Sequence, residues 1–267
     1  MTAVLAIDFL YQIIVLADCR VSWDPPIYRP QDNLQKIYPL GPTGVLGFSG
    51  SIPMAKLVLN NLARNISGKQ LPPSAADIVS EVAESARSTY AKLSQLERQE
   101  LELMYVAPDY GNVTLVAENV VFAKNLMVRM VSPSFIPTVQ GDAVRLGYAR
   151  QYPLDNLRLN RDNMLNTGLT EDGRKFQVGI SIGAIAPVLA SYAPNQVGGL
   201  FNVAVASPRG VKWSPYGPVN GLELAIENGV FVQVDHKDGR RVRLESIIDF
   251  DTTKPAAGDL QFGTISV

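Results

Sequence analysis

The chain has 267 residues, 46% of them hydrophobic, and a formal net charge of −1. That length can bury a substantial core, as one large domain or two smaller ones, and the near-neutral balance gives no reason to expect nucleic acid or an acidic membrane as a partner. One cysteine and one histidine exclude an intrachain disulfide and an ordinary zinc site, and no P-loop or dinucleotide glycine fingerprint is present, so no cofactor is expected.

Read in order, the chain opens on Met1-Thr2. Removal of Met1 would leave a threonine with a free α-amine. Ala3 to Phe9 and Gln12 to Ala17 are apolar runs of strand type, and the short step at Leu10-Tyr11 predicts an antiparallel hairpin. The second strand delivers Asp18. Side chains alternate along a strand, so Asp18 and Arg20 share one face and Cys19 takes the other. An acid that ends an apolar strand is costly to bury unless something pairs with it. Lys36, just before the apolar segment Ile37 to Leu40, is the expected partner. Trp23 to Asp32 carries three prolines and reads as a loop.

Lys36 to Leu40 and Val45 to Gly50 predict a second strand pair around Gly41 to Gly44. Ser51 can cap a helix with Pro53 in its first turn, carrying Met54, Leu57, Val58 and Leu62 at helical spacing. Pro72-Pro73-Ser74 opens another helix, whose stripe is Ile78, Val82, Ala86, Tyr90 and Leu93. Helices that follow strand pairs in this way are expected to cover a sheet face. Leu101 to Ala107 and Val113 to Ala117 read as strands. Val120 to Val131 and Phe135 to Val139 are apolar, and Gln140 to Ala143 is expected to lead into a helix through Val144, Leu146 and Tyr148. Pro153 to Gly173 is polar and reads as an inserted loop or short helix. Phe176 to Tyr192 reads as a buried helix despite Pro187, and Leu200 to Ala206 as a late strand. Asp238-Gly239, between Val230 to Val234 and Val242 to Leu244, is a hairpin signal. Thr252 to Gly258 reads as a loop.

The first fifty residues carry the chemistry. A threonine hydroxyl needs a base to act as a nucleophile. A free α-amine, with a pKa of roughly 7.7–8, is partly neutral near pH 7 and can take the hydroxyl proton. A nearby lysine ammonium would depress the pKa of that amine or hydroxyl, and an aspartate would hold the lysine charged and oriented. The tight turn Gly47-Phe48-Ser49-Gly50-Ser51 offers backbone N–H groups that could hold an oxyanion.

Thr2, the strand ending Ala17-Asp18-Cys19-Arg20, the Lys36-Ile37-Tyr38 segment and the Gly-Phe-Ser-Gly turn resemble the proteasome β-type peptidases, including their bacterial HslV-like members. These are N-terminal nucleophile hydrolases. The resemblance implies an α+β fold of four layers, an αββα sandwich of two stacked antiparallel sheets with helices outside. It makes Thr2 the nucleophile, Asp18 and Lys36 its charge partners, Gly50 the oxyanion donor and Arg20 a structural residue beside the acid. It implies a threonine peptidase acting on peptides or unfolded protein, assembled as a homo-oligomeric ring, with an unfoldase as a possible partner. Residues 1–217 would form this domain, and residues 218–267 a C-terminal extension with the hairpin.

Two departures stand beside the resemblance. Where that family has a Gly-Ser-Gly turn whose serine helps orient the amine, Gln140 or Asp142, or water, would have to serve. Where it has an aspartate and a serine before the double glycine, this chain reads Pro194-Asn195-Gln196-Val197. The alternative function is therefore a catalytically silent ring or scaffold subunit. A rival enzyme reading is Gly179-Ile180-Ser181-Ile182-Gly183, which matches the nucleophile-elbow pattern, with Asp235 and His236 downstream; it requires a strand before the serine. The charged fraction, 18%, suits burial of surface between subunits. The apolar run from residue 3 leaves no room for a cleavable signal, and no run of about 18 apolar residues is present, so the expected location is the cytoplasm.

Overall fold

A computed structural model describes residues 2–21, 33–66, 75–108, 118–122, 126–131, 143–198, 201–213, 222–227, 230–235, 238–239 and 241–243. In chain order the elements are strands β1 (Ala3–Asp8), β2 (Ile13–Asp18), β3 (Ile37–Leu40) and β4 (Gly44–Gly50), then helices α1 (Ile52–Ile66) and α2 (Ala75–Ala91). Strands β5 (Leu101–Val106), β6 (Glu118–Phe122), β7 (Leu126–Val131) and β8 (Ala143–Gly147) follow. Helices α3 (Leu154–Met164), α4 (Glu171–Ile180) and α5 (Ala186–Tyr192) come next, with 3-10 turns at Tyr148–Gln151 and Leu165–Leu169 and a π-helical turn at Ser181–Ile185, and strands β9 (Phe201–Ser207), β10 (Gly210–Trp213), β11 (Leu222–Glu227), β12 (Val230–Asp235) and β13 (Arg241–Arg243) complete the described elements.

The strands pair into three sheets. The first runs β10-β9-β2-β1-β8 and is antiparallel throughout. Its centre is the hairpin β1–β2, with Val4 opposite Ala17 and Ile7 opposite Ile14. The turn closes by a bond from the Phe9 N–H to the Gln12 carbonyl at 2.9 Å, and Leu10 takes a left-handed φ of 68°. The Asp8 carboxylate accepts the Leu10 N–H at 2.7 Å, which holds that unusual conformation. The second sheet runs β3-β4-β5-β7-β6, and the third β11-β12-β13.

Alternation along the strands sorts their apolar residues into separate cores. Val4, Ala6, Val15 and Ala17 of the first sheet pack with Ile37, Val45, Met104 and Val106 of the second. Ala3, Leu5, Leu16 and Val203 point the other way and pack with Leu157, Ile185 and Leu189 of the later helical region. Phe48, Leu103 and Tyr105, on the far face of the second sheet, pack with Val58, Leu62, Val82 and Ala86 of α1 and α2. Both faces of β1 and β2 are thus covered, which is why these strands read as unbroken apolar runs. In α1 the buried residues Met54, Val58, Leu59 and Leu62 lie on one stripe, and Ser51 caps the helix through its Oγ and the Met54 N–H at 3.3 Å.

Several expectations change. Residues 143–147 form a strand rather than a helix: they pair with β1, Ala3 opposite Gly147 and Ala6 opposite Val144. Val144, Leu146 and Tyr148 satisfy period two as well as a helical turn, and the open edge of β1 decides between them. The second sheet is not wholly antiparallel, because β5 and β7 run parallel. The polar stretch from Pro153 holds two helices, α3 and the start of α4. The helix expected from Phe176 to Tyr192 is present but only partly buried: Phe176 is 53% exposed, and the helix passes through a π-helical turn at Ser181–Ile185 just before Pro187. The hairpin at Asp238-Gly239 joins β12 to β13, and β11 extends it. The expected loops at 23–32 and 252–258, the strands at 113–117 and 135–139, and the positions Gln140 and Asp142 lie outside the described residues.

Candidate functional site

The site forms where β1 begins and β2 ends. Antiparallel pairing brings those two ends together, so the hairpin alone carries Thr2 to the neighbourhood of Asp18. The Asp18 carboxylate is fully buried. Its Oδ1 accepts the Ala3 N–H at 2.8 Å and pairs with Lys36 Nζ at 3.0 Å. Its Oδ2 accepts the Arg20 N–H at 3.2 Å. The Gly198 N–H also donates to it. Lys36, 1% exposed, donates in addition to the Arg20 carbonyl at 2.5 Å.

These partners divide the electrostatics. Burial pushes the Asp18 carboxyl above its ordinary value, while the Lys36 ammonium and the backbone N–H donors pull it back. A buried ion pair is costly to desolvate, and here each member is also hydrogen-bonded, which is what makes such a pair tolerable. The carboxylate is also tied directly to the backbone of Ala3, the residue after Thr2. The charge pair and the N-terminal strand are therefore one unit.

Thr2 is 4% exposed and its carbonyl accepts the Tyr148 N–H at 2.9 Å. Gly147 makes that approach possible: a Cβ there would lie 2.0 Å from the Thr2 carbonyl oxygen and 2.5 Å from Ser49 Oγ, and its φ is +55°. Ser49 and Glu102 are opposite each other on β4 and β5, both buried. Glu102 Oε2 accepts the Gly147 N–H at 3.0 Å, so it ties the second sheet to the first beside Thr2. Gly50 ends β4 directly after Ser49, with φ +109° and its Cβ position only 2.5 Å from the Glu100 carbonyl oxygen. Only glycine fits there.

A third group comes from the turn before β9. The Arg20 guanidinium donates to the Pro194 carbonyl at 2.5 Å, and its Nη1 lies 2.8 Å from where a Gly198 Cβ would be. The Tyr148 hydroxyl donates to Gln196 Oε1. Gln196 thus meets the Thr2 region through Tyr148, a residue without a site role in the sequence reading. Asn202 on β9 is fully buried, opposite Ala17, and among the described residues neither atom of its amide has a hydrogen-bond partner.

The structure thus joins Asp18, Lys36 and Arg20, places Thr2 one residue from them, and sets Gly50 at the end of the strand that carries Ser49. Sequence reasoning alone misses Glu102, Tyr148 and Ser49 as members of the same cluster. The available signal was Glu102, an acid within the apolar strand Leu101–Val106, the same cue that marks Asp18.

The nucleophile-elbow reading fails. Ser181 follows helix α4 rather than a strand, is fully buried, and donates to the Gln177 carbonyl at 2.9 Å. His236 lies outside the described residues. Among the described residues no three His, Cys, Asp or Glu side chains group so as to hold a metal ion, and no helix is long and apolar enough to cross a membrane.

No family model matches the chain. No curated protein matches it either. Solved structures do match in backbone, among them one titled as the Anbu (Gly-1) mutant from Hyphomicrobium sp. strain MC1, at 12% identity, over 97% of this chain and 90% of that one, with a TM-score of 0.44. A likeness at that level carries no argument about the site. The identification with the proteasome β-type and HslV-like peptidases is therefore withdrawn. It rested on motifs of a few residues each, and comparison over the whole sequence does not sustain it. What stands is a mixed α and β fold with antiparallel pairing, and the geometry of the cluster itself.

Proposed function

We propose that this chain is a hydrolase that uses Thr2, freed by removal of Met1, as an N-terminal nucleophile on peptide bonds. The observation that carries the reading is the buried Asp18–Lys36 pair, 3.0 Å apart, whose carboxylate also holds the Ala3 N–H at 2.8 Å. This pair sets a buried lysine and a carboxylate beside the backbone that follows Thr2. Asp18 fixes Lys36 through their 3.0 Å contact. Lys36 favours the neutral amine and the ionised hydroxyl of Thr2. The amine takes the hydroxyl proton, the oxygen attacks the carbonyl carbon, and the Gly50 N–H holds the oxyanion. The amine then returns the proton to the leaving nitrogen. Water, activated by the same amine, releases the acyl group and restores Thr2.

The sequence of packed cores supports a layered αββα arrangement for the chain. The substrate class is a peptide or an unfolded protein segment, the assembly a homo-oligomeric ring, an unfoldase a possible partner, and the location the cytoplasm. A second reading, a catalytically silent subunit, is favoured by one observation: Thr2 is only 4% exposed. The test is a chain with proven loss of Met1, assayed on fluorogenic peptides beside Thr2→Ala. Hydrolysis by the first and none by the second supports the enzyme; no hydrolysis by either supports the silent subunit.

A further inference from the structure

We infer that Tyr148 and Gln196 are positioning residues for Thr2, and that the turn Ala193 to Gly198 is the clasp through which they act. The turn is braced on itself: the N–H groups of Gln196 and Val197 both donate to the Ala193 carbonyl at 2.8 Å. From this base it reaches three members of the site. The Pro194 carbonyl takes the Arg20 guanidinium, the Gly198 N–H reaches Asp18, and Gln196 Oε1 takes the Tyr148 hydroxyl. Tyr148 in turn holds the Thr2 carbonyl by its own N–H at 2.9 Å. The acid and the nucleophile residue are thus gripped by one short turn, the acid directly and Thr2 through Tyr148.

The three contacts differ in what they fix. The bonds to Arg20 and Asp18 hold the end of β2. Of the three, the Tyr148–Gln196 bond is the one that ties the turn to the last residue pair between β8 and the N-terminal strand. That pair is weakly constrained by sequence, because Thr2 sits before β1 begins and Tyr148 after β8 ends. A nucleophile must be held to well within an ångström to react efficiently. Losing one side-chain bond at a strand end should loosen Thr2 and leave the cores intact.

The kinetic part of this inference rests on Thr2 being the nucleophile; the structural part does not. The experiment therefore has two arms, on the full chain lacking Met1, with Tyr148→Phe, Gln196→Leu and Gln196→Glu. In the first arm, hydrogen exchange at the amides of Ala3 and of position 148 should quicken about tenfold in Tyr148→Phe and Gln196→Leu, the loss of one ordinary hydrogen bond. The amides of Phe48 and Leu103, in the second sheet, should keep their rates. Gln196→Glu retains an acceptor for the tyrosine hydroxyl and should restore slow exchange. In the second arm, kcat on a fluorogenic peptide should fall about tenfold in the same two variants with KM nearly unchanged, and the double variant should be no worse than either single one. If the wild-type chain does not hydrolyse peptides, the function proposed above fails and the exchange arm alone decides. Unchanged exchange at Ala3 and position 148, or equal acceleration at the control amides, overturns the inference.

Discussion

Asp18 shows how one residue can be read from sequence and still be incompletely understood. An acid ending an apolar run must find a partner, and Lys36 supplies it at 3.0 Å. What the sequence does not contain is the number of donors around the carboxylate, because the N–H groups of Ala3, Arg20 and Gly198 arrive only through folding. Removing either charge leaves the other buried. Lys36→Ala should therefore lower stability by about 3–5 kcal/mol, read from urea unfolding. Asp18 also titrates above its ordinary value because burial outweighs its partners. Protonated Asp18 then favours the folded state in acid, and that contribution is given up as pH rises through the raised value. Asp18→Asn, neutral throughout, should show no such decline. The check is the slope of unfolding free energy with pH, followed upward from the ordinary carboxylate range, in the two proteins.

At the scale of elements, strands β1 to β5 are legible as short apolar runs bounded by turn residues, and helices α1 and α2 by their apolar stripes. The β1–β2 hairpin, the β3–β4 pair and the capped α1 all follow local rules. Strand β8 is not legible in the same way. Val144, Leu146 and Tyr148 fit either period, and pairing with β1 settles the matter. Glu102 has the local cue of a buried acid, but its meaning comes from Gly147, 45 residues away. Tyr148 and Gln196 meet across 48 residues and have no local signature at all. Gly147 is the element-scale test. Any side chain there would strike the Thr2 carbonyl, which is backbone and cannot swing aside, and its φ of +55° disfavours L-residues. Gly147→Ala should destabilise by about 1–3 kcal/mol, measured by thermal or urea unfolding, with strain at a special backbone position as the cause. Ser181→Ala, by contrast, removes a hydroxyl bonded to the preceding helical turn and should leave any peptidase activity at the wild-type level.

At the scale of the whole molecule, the two five-stranded sheets share one core, and Thr2 lies at the end of a strand that both sheets help to fix. Glu102 reaches from the second sheet to Gly147 in the first, and Lys36 reaches from the start of β3 to Asp18 at the end of β2. The site is therefore a product of sheet stacking and should be lost with it, not before it. Several large apolar side chains remain exposed on the later helical region, among them Leu159, Leu169 and Phe176. The proposed ring would have to bury such side chains between copies. Sedimentation at micromolar concentration should find an oligomer, and a monomer would count against the ring. The central claim, however, is chemical. The measurement that tests it most directly is labelling of the chain, with Met1 shown by intact mass to be absent, by a peptide electrophile that forms a covalent bond with nucleophilic hydroxyls. The account predicts one label per chain, located at Thr2 by peptide mapping and absent from Thr2→Ala and Lys36→Ala. A chain with a free Thr2 that takes up no label, or takes it up elsewhere, would contradict it.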